Sequence, residues 1–319
     1  MQHLPLSRLY NLELLRLCIL ALLVMPSSGV GRIFIANAPF SGRMGANLNQ
    51  YARAKALSYK YGIQFLLRTS SKYLRQLRIH TAEEHLPENL RLRFCGVIQV
   101  HTEEELRQFI EKHDGLGEKR EYLCLIVPTF PKKILGQMPE DFWLQLKSLL
   151  APRQELELPS LPSDMITVAM HVRTGGDYDT AASIQAAPAT FKPINFYAEQ
   201  LLRLRELLPN QRIHVHIFTD ASRSSRIAGS IRKFLGSDNI TLDYQKEGSS
   251  YRDNVVRDFF FMTKFDYLIR PCSNYSGFAQ LLGNYKEIDT KNHFIFKKDA
   301  MASCASSATF PWTLSARQD

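Results

Sequence analysis

After about thirty residues, short apolar stretches begin to alternate with longer stretches in which apolar residues recur at helical spacing. The apolar stretches predict buried strands, and the segments between them predict helices. This alternation is typical of parallel sheets built from βαβ units. The predicted strands are RIFIANA, IQFLLR, FCGVIQV, YLCLIVP, MITVAMHV, RIHVHIFTD, NITLDYQ and DYLIRP. The helix after the first strand is predicted to bury one face, comprising Leu48, Ala52, Ala56 and Tyr59.

The alternation stops at residues 151–164, which hold three prolines and show no periodicity, and then restarts. We interpret this segment as a linker between two Rossmann-like domains, residues 31–150 and 165–319, that face a cleft. In such sheets ligands bind beyond the carboxyl ends of the strands. The stretches HVRTGGDYDT and FTDAS are therefore predicted to lie on loops that face the cleft.

The chain carries 40 Lys and Arg against 31 Asp and Glu, a net charge of +9. The excess is spread along the sequence, which disfavours a nucleic-acid-binding stripe and suits an anionic small ligand. The five cysteines show no CxxC or zinc-like spacing, so we expect no metal site built from sulfur. In a secreted chain they would allow one or two disulfides, whose pairing the sequence leaves open.

Residues 1–30 are organised like a targeting segment. Arg8 and Arg16 precede an apolar run, residues 17–25, that is shorter than the roughly 20 residues needed to span a bilayer. This order is typical of a signal peptide or a short signal-anchor, and an ordinary first helix is the alternative. The targeting interpretation predicts membrane anchoring through residues 12–25. It predicts a lumen-facing place in the secretory pathway or Golgi membrane for a eukaryotic protein, and a membrane-associated or secreted one otherwise.

Two of three candidate binding segments surround glycines at a turn from strand to helix. In SGRMGANLNQY, Gly42 and Gly45 would let the backbone approach a ligand, and free N–H groups at the helix start would face an anion. The segment matches neither the dinucleotide fingerprint nor the P-loop, and plain turn chemistry is the alternative. In HVRTGGDYDT, Arg173 could grip a diphosphate with two N–H groups, beside His171 on the same strand end.

Three interpretations of HVRTGGDYDT remain open: a diphosphate-binding loop, a metal site made by Asp177 and Asp179, and a polar loop without a role. The metal interpretation is the weaker of the first two, because the acids follow two glycines several residues beyond the strand, where they would be mobile.

The third candidate segment runs from residue 257 to residue 283. Asp258 is an acid in an aromatic-rich helix, where a solvated helix face is the alternative interpretation. Ser273, Asn274 and Ser276 cluster between a strand and a helix, where hydroxyl and N–H groups can hold phosphate. Polar helix caps would produce the same residues.

The order and spacing of these segments, over about residues 32–314, resemble the fucosyltransferase superfamily and most closely its α-1,2-fucosyltransferases, glycosyltransferase family 11. GRMGANLNQYA resembles the family motif G-R-L-G-N-Q-x-x-x-Y-A, and HVRTGGD resembles H-x-R-R-G-D. Asp258 and FDYLIRPCSNYS resemble a family pattern of Asp followed by C-D-x-x-x-x-S-N-S-S-F-S. The departures are Ala46, Thr174, Arg257 and the pair Pro271-Cys272, in place of Asn, Arg, Glu and Ser-Asn.

The resemblance implies an α/β, GT-B-like fold with two Rossmann-type domains facing a cleft. It implies an inverting enzyme that moves fucose from GDP-fucose to a glycan hydroxyl, with an α-1,2 linkage to galactose. Its partners would be the nucleotide-sugar donor and the glycan acceptor, and no metal would be needed. A non-catalytic glycan- or nucleotide-binding protein of the same fold and a metal-dependent transferase using Asp177 and Asp179 are the alternatives.

Residue by residue, the resemblance implies that Arg173 and His171 hold the GDP diphosphate and that Asp258 accepts hydrogen bonds from the guanine edge. Asp177, and after it Asp179, is the candidate general base, because an inverting transfer needs a carboxylate near the acceptor hydroxyl. The remaining implied site residues are Thr219, Asp220, Ser273, Asn274 and Ser276 on the donor side, with Gly42, Gly45 and Asn47 facing the cleft from the acceptor domain.

Overall fold

The computed structural model describes residues 32–39, 42–68, 71–113, 120–176, 178–236, 239–245 and 254–286. In these ranges eight strands form two four-stranded sheets. The strands are β1 (Arg32–Asn37), β2 (Gln64–Leu66), β3 (Gly96–Val100), β4 (Glu121–Ile126), β5 (Ile166–Val172), β6 (Ile213–Thr219), β7 (Ile240–Tyr244) and β8 (Tyr267–Ile269). Each predicted strand is present. The strand ends differ from the predicted ones by at most two residues, and β4 begins one residue earlier than predicted, at Glu121.

Helices connect the strands. They are α1 (Met44–Tyr61), α2 (Ile79–Ala82), α3 (Leu90–Arg93), α4 (Glu103–His113), α5 (Lys133–Gly136), α6 (Glu140–Leu149), α7 (Ala181–Gln185), α8 (Ile194–Leu207), α9 (Ser224–Leu235), α10 (Val255–Met262) and α11 (Asn274–Leu282). The sequence pattern predicted the long helices. It missed α2, α3, α5 and α7 because four or five residues are too few to show a helical period.

All neighbouring strands in both sheets are parallel, as the alternation predicted. The strand orders are β2-β1-β4-β3 in the N-terminal half, residues 32–150, and β7-β6-β5-β8 in the C-terminal half, residues 165–286. In the second sheet the chain moves outward from β5 to β7 and then crosses to the other side of β5 for β8. This reversal makes the carboxyl ends of β5 and β8 the expected ligand position of that sheet.

Helix α1 is buried on nearly every side. Leu48, Ala52 and Ala56 of the predicted apolar face are fully buried, but Tyr51 and Leu57 on other faces are fully buried too. Tyr59 was predicted to be in the core and is instead 38% exposed. The prediction of a single buried face was wrong because α1 packs against its own sheet and also against α11 of the C-terminal half.

One continuous apolar cluster therefore joins the two halves. It includes Leu48 of α1 together with Ala169, Phe218, Phe259 and Phe278 of the C-terminal half. The proline-rich segment 151–164 forms no helix, and it contacts the N-terminal half through a bridge between Leu77 and Pro152. The division of the chain into domains at this segment stays a prediction.

The described cysteines differ in state: Cys95 and Cys124 are free thiols, whereas Cys272 is disulfide-bonded. Among the described helices, none is long and apolar enough to cross a membrane. The predicted targeting segment, residues 1–30, lies outside the described residues.

Candidate functional site

A cavity of about 370 Å³ lies between the carboxyl ends of the two sheets. The segments that follow β1, β4, β5, β6 and β8 all contribute to its lining, and so does the start of α10. The cavity thus occupies the place where the strand order predicts a ligand. Nine of the predicted site residues line it: Gly42, Gly45, His171, Arg173, Thr219, Asp220, Asp258, Ser273 and Asn274.

Two of the predicted site residues that the structure describes are not on the cavity lining. Asn47 and Ser276 are buried behind the lining, where they contact residues that do line it. Asp177 lies outside the described residues, so its role as general base stays a prediction.

Two helix N-termini from opposite halves face the cavity. Helix α1 begins next to Arg43, and α11 begins next to Ser273; neither residue caps its helix with a side-chain hydrogen bond. The first N–H groups of a helix have no partner within it, and the helix dipole adds a partial positive charge there. Two such ends meeting at one cavity favour an anionic ligand.

Gly45 permits the close approach of these two helix ends. A Cβ atom on Gly45 would lie 2.5 Å from the backbone N of Tyr275, at the start of α11. The sequence suggested that this glycine makes room for a ligand. In the structure it lines the cavity and also serves the contact between the two halves.

The turn before α1 is shaped by Asn47. Its side-chain amide donates hydrogen bonds to the carbonyl oxygens of Gly42 and Arg43, the latter at 3.0 Å. The resemblance implied that Asn47 faces the cleft, but this residue is 6% exposed and is not among the residues that line the cavity. It holds the backbone that carries Arg43 into the cavity.

Arg43, Asp179 and Arg173 form an ionic cluster across the two halves. Asp179 Oδ2 accepts hydrogen bonds from Arg43 Nη2 at 2.8 Å and from Arg173 Nη2 at 2.7 Å. Burial raises the pKa of Asp179, Arg43 opposes that shift, and Asp220 adds to it. The expectation that this acid would be mobile was wrong, because two guanidinium groups hold it.

Asp220 fastens the loop after β5. Its carboxylate accepts hydrogen bonds from the backbone N and hydroxyl of Thr174, at 2.7 and 2.9 Å, and from the backbone N of Gly175 at 3.2 Å. Arg43 Nη1 donates a further bond at 3.1 Å. Thr174, which departs from the family motif, thus pairs with a carboxylate. Gly176 has φ +53 and lies so close to the Asp220 carbonyl that a side chain would clash.

Arg173 retains an unused donor. Its Nη2 bonds Asp179, and its guanidinium carbon lies 5.3 Å from the ring centre of Phe191. Its Nε is buried and has no hydrogen-bond partner among the described residues. A buried N–H without a partner costs on the order of 1–3 kcal/mol, which a bound acceptor would recover.

His171 is buried and neutral. Its Nδ1 lies 2.9 Å from Ser276 Oγ, which leaves Nε2 as the ring nitrogen available to a ligand. Burial lowers the pKa of His171 to about 4; Asp220 opposes this shift, and Arg270 and Arg43 add to it. His171 would therefore contribute a hydrogen bond rather than a charge, and Ser276 orients it.

Asp258 is a carboxyl group in a poorly hydrated place. Burial raises its pKa to about 6, and the neighbouring Arg257 opposes the shift. It lines the cavity near Tyr275, whose hydroxyl donates to the carbonyl of Val255 at 2.7 Å. The alternative interpretation of a solvated helix face does not hold for this side chain.

Sequence reasoning missed several lining residues, among them Arg43, Lys132 and Tyr178. Arg43 stands beside Gly42 in a segment that was already a candidate, and Lys132 comes soon after the end of β4. The positions of these two residues in the sequence could therefore have indicated that they line the cavity. Tyr178 stacks on Arg43, with the guanidinium carbon 4.9 Å from the ring centre. That contact joins segments remote in sequence and carries no local signal.

The described residues contain no group of three or more His, Cys, Asp or Glu placed to hold a metal ion. The metal interpretation of Asp177 and Asp179 is not tested by this finding, because Asp177 lies outside the described residues.

No protein-family model matches the sequence, and no curated protein matches it either. Among solved structures, a variant of Arabidopsis thaliana FUT1 in complex with GDP aligns with a TM-score of 0.51 at 12% identity. The alignment covers 82% of this chain and 70% of that chain.

Two structures of NodZ also align: the α-1,6-fucosyltransferase soaked with GDP-fucose and the fucosyltransferase from Bradyrhizobium. Their TM-scores are 0.43 and 0.44, both at 12% identity, with 79% of this chain and 93% of theirs covered. These scores are too low to carry an argument. The FUT1 likeness shows the fold alone, and it confirms the predicted GT-B-like α/β class.

Proposed function

We propose that the protein is an inverting glycosyltransferase that moves fucose from GDP-fucose to a glycan hydroxyl. The observation that carries the proposal is the buried, unpartnered Nε of Arg173, beside two helix N-termini in one cavity. A guanidinium with an unpartnered N–H and converging backbone N–H groups are donors that suit a diphosphate.

Asp258 supports guanine as the base of the donor. Guanine presents neighbouring N–H groups from its ring and its exocyclic amine, and one carboxylate can accept from both. Adenine lacks that pair of donors. With a pKa of about 6, Asp258 is ionised at neutral pH and able to accept both bonds.

In the proposed reaction the acceptor hydroxyl oxygen attacks the anomeric carbon of fucose from the face opposite the diphosphate. The new C–O bond forms as the bond to the diphosphate oxygen breaks, and GDP leaves with that electron pair. A carboxylate takes the hydroxyl proton. Arg173 and the helix N-termini stabilise the charge that grows on the leaving diphosphate, as a preorganised charged site does.

Two finer features belong to the proposal. The sequence resemblance supports an α-1,2 linkage to galactose. The order of charges in residues 1–30 supports membrane anchoring through residues 12–25, in the secretory pathway or Golgi. The fold shared with the GDP-bound FUT1 variant is consistent with a GDP-sugar donor.

The test is release of GDP from GDP-fucose by the full-length protein, with and without a galactose-ending glycan and with and without EDTA. Arg173→Ala is compared with Arg203→Ala, which removes an exposed arginine of α8. We expect acceptor-dependent release that survives EDTA. It should fall by about 10²–10³-fold in Arg173→Ala, because one charge-stabilising donor is worth that much in the transition state. Arg203→Ala should behave like the wild type.

Other results would assign another function. GDP binding without release would indicate a non-catalytic nucleotide-binding protein. Release that EDTA abolishes would favour the metal-dependent transferase that uses Asp177 and Asp179.

A further inference from the structure

Asp179 occupies an anion position between two arginines of the cavity. Arg43 and Arg173 both donate to the same oxygen, Asp179 Oδ2. The side chains of Arg43, Arg173 and Asp179 are 13%, 18% and 16% exposed, so the cluster is largely shielded from water. A carboxylate held by two guanidinium groups in this way stands where one oxygen of a bound phosphate group would fit.

The two acids that contact Arg43 are held differently. Asp220 makes three further hydrogen bonds, to Thr174 and Gly175, and these fix the loop after β5. Among the described residues no hydrogen bond reaches Asp179 Oδ1, and the two arginines supply the bonds to its other oxygen. Burial and the negative charge of Asp220 both disfavour ionised Asp179. Asp179 is therefore the acid that a stronger anion can displace.

We propose that the donor diphosphate displaces Asp179 from Arg43 and Arg173, and that the released carboxylate accepts the proton of the acceptor hydroxyl. This inference rests on the proposed function and names its proton acceptor. The hydroxyl proton passes to an Asp179 oxygen as the hydroxyl oxygen bonds to the anomeric carbon, and GDP departs with the electrons of the broken C–O bond.

The exchange explains how Asp179 can pair with the two arginines before the donor binds and accept a proton afterwards. A diphosphate offers more negative charge and more oxygens than Asp179, so it competes well for two guanidinium groups. Once released, Asp179 loses the arginine contacts that favour its ionised form and faces Asp220, which disfavours that form. A carboxylate in that position takes up a proton more readily. The proton acceptor is thus produced only after the donor has bound.

Asp179→Asn separates the two parts of the inference. Asparagine keeps the size of the side chain but neither competes as an anion nor accepts the proton. We expect the Kd for GDP to fall by about threefold or more. In the wild type Asp179 occupies the anion position part of the time, and only the fraction of molecules in which that position is free can bind GDP, which weakens the apparent affinity. The rate of fucose transfer should fall by about 10²–10⁴-fold, as for other general bases.

Asp164→Asn is the matched control, because it breaks an exposed aspartate–arginine pair, with Arg212, on the surface. It should leave GDP affinity and transfer unchanged. Asp179→Glu, which keeps the charge, should recover part of the transfer and bind GDP like the wild type. Calorimetry with GDP, initial transfer rates and thermal unfolding of each variant provide the readouts.

The possible failures are distinguishable. Wild-type protein that neither binds GDP nor transfers fucose overturns the proposed function and this inference with it. Active wild-type protein whose Asp179→Asn variant binds GDP more weakly shows that Asp179 only supports the structure. Unchanged transfer in Asp179→Asn, or no recovery in Asp179→Glu, overturns its role as proton acceptor.

Discussion

The cavity has two walls, one from each half of the protein, which share a similar backbone arrangement but present different chemical groups. In both, polar residues follow neighbouring central strands of a parallel sheet. The wall from the C-terminal half presents a neutral histidine, an arginine with an unused donor and a carboxyl group of raised pKa. The wall from the N-terminal half presents a glycine turn, a helix N-terminus, Arg43 and Lys132.

This difference suggests a division of labour. The C-terminal wall holds side chains whose protonation and pairing are set by burial, which suits tight recognition of one nucleotide. The N-terminal wall is shaped by backbone packing, because α1 is buried on nearly every side and Gly45 touches α11. Changes there should act on the geometry of the cavity more than on individual ligand bonds.

Gly45→Ala should have the largest effect. The new Cβ would meet the Tyr275 backbone at 2.5 Å, which only a shift of α1 against α11 can relieve. We expect a loss of about 3 kcal/mol in the free energy of unfolding, the upper end for overpacking, together with weaker GDP binding. Urea denaturation measures the first effect and calorimetry the second.

Gly229→Ala is the control for that change, since nothing lies within 4 Å of its Cβ position in α9. It should stabilise the protein by about 0.5–1 kcal/mol through helix propensity. Equal stability changes in the two variants would contradict a special contact at Gly45.

Asp258→Asn should separate stability from binding. The folded pKa of about 6 lies above the unfolded value of about 3.9, so ionisation of Asp258 costs stability above pH 6 and nothing below pH 4. The free energy of unfolding of the asparagine variant should therefore exceed that of the wild type by about 1–3 kcal/mol at pH 7 and equal it at pH 4. Denaturation at the two pH values measures this.

The same variant should bind GDP about 10–100-fold more weakly at pH 7.5, because hydrogen bonds to a charged acceptor are lost. Wild-type affinity should fall as the pH drops through 6, and the variant should not show that fall. An Asp258→Asn variant that binds GDP normally would place the guanine elsewhere on the wall. Asp164→Asn serves again as the control for loss of one negative charge.

Lys132→Gln should have the smallest effect and tests the N-terminal wall. Lys132 Nζ lies 3.4 Å from Asn274 Oδ1, and burial, with the charge of Arg53, lowers the pKa of Lys132. We expect the KM for the glycan acceptor to rise about 3–10-fold, the value of one hydrogen bond, while the Kd for GDP stays within about twofold. The opposite pattern would place Lys132 on the donor rather than on the acceptor.

Most of the fold could be predicted from the sequence because strands buried on both faces are continuous apolar runs. RIFIANA and MITVAMHV predicted β1 and β5 to within one residue at each end. The helices between the strands predicted that the strands pair in parallel. The burial of α1 on nearly every side could not be predicted. It arises from contact between halves that are more than a hundred residues apart.

The candidate site was predictable where it depends on strand ends. His171 lies at the end of β5, Arg173 follows β5 and Ser273 follows β8, and all three line the cavity. The partners of those residues were not predictable: the sequence does not say that Arg43 meets Asp179, or that Ser276 meets His171. Such pairs depend on the packing of α1 and α11, which no local pattern encodes.

The shared core around α1 has a practical consequence for dissecting the protein. Phe259 and Phe278 are at most 1% exposed and belong to the same cluster as Leu48 of α1. Expressed without the N-terminal half, the C-terminal sheet would expose these apolar rings to water, so it would aggregate rather than serve as a minimal binding module. The recombinant unit has to span both sheets.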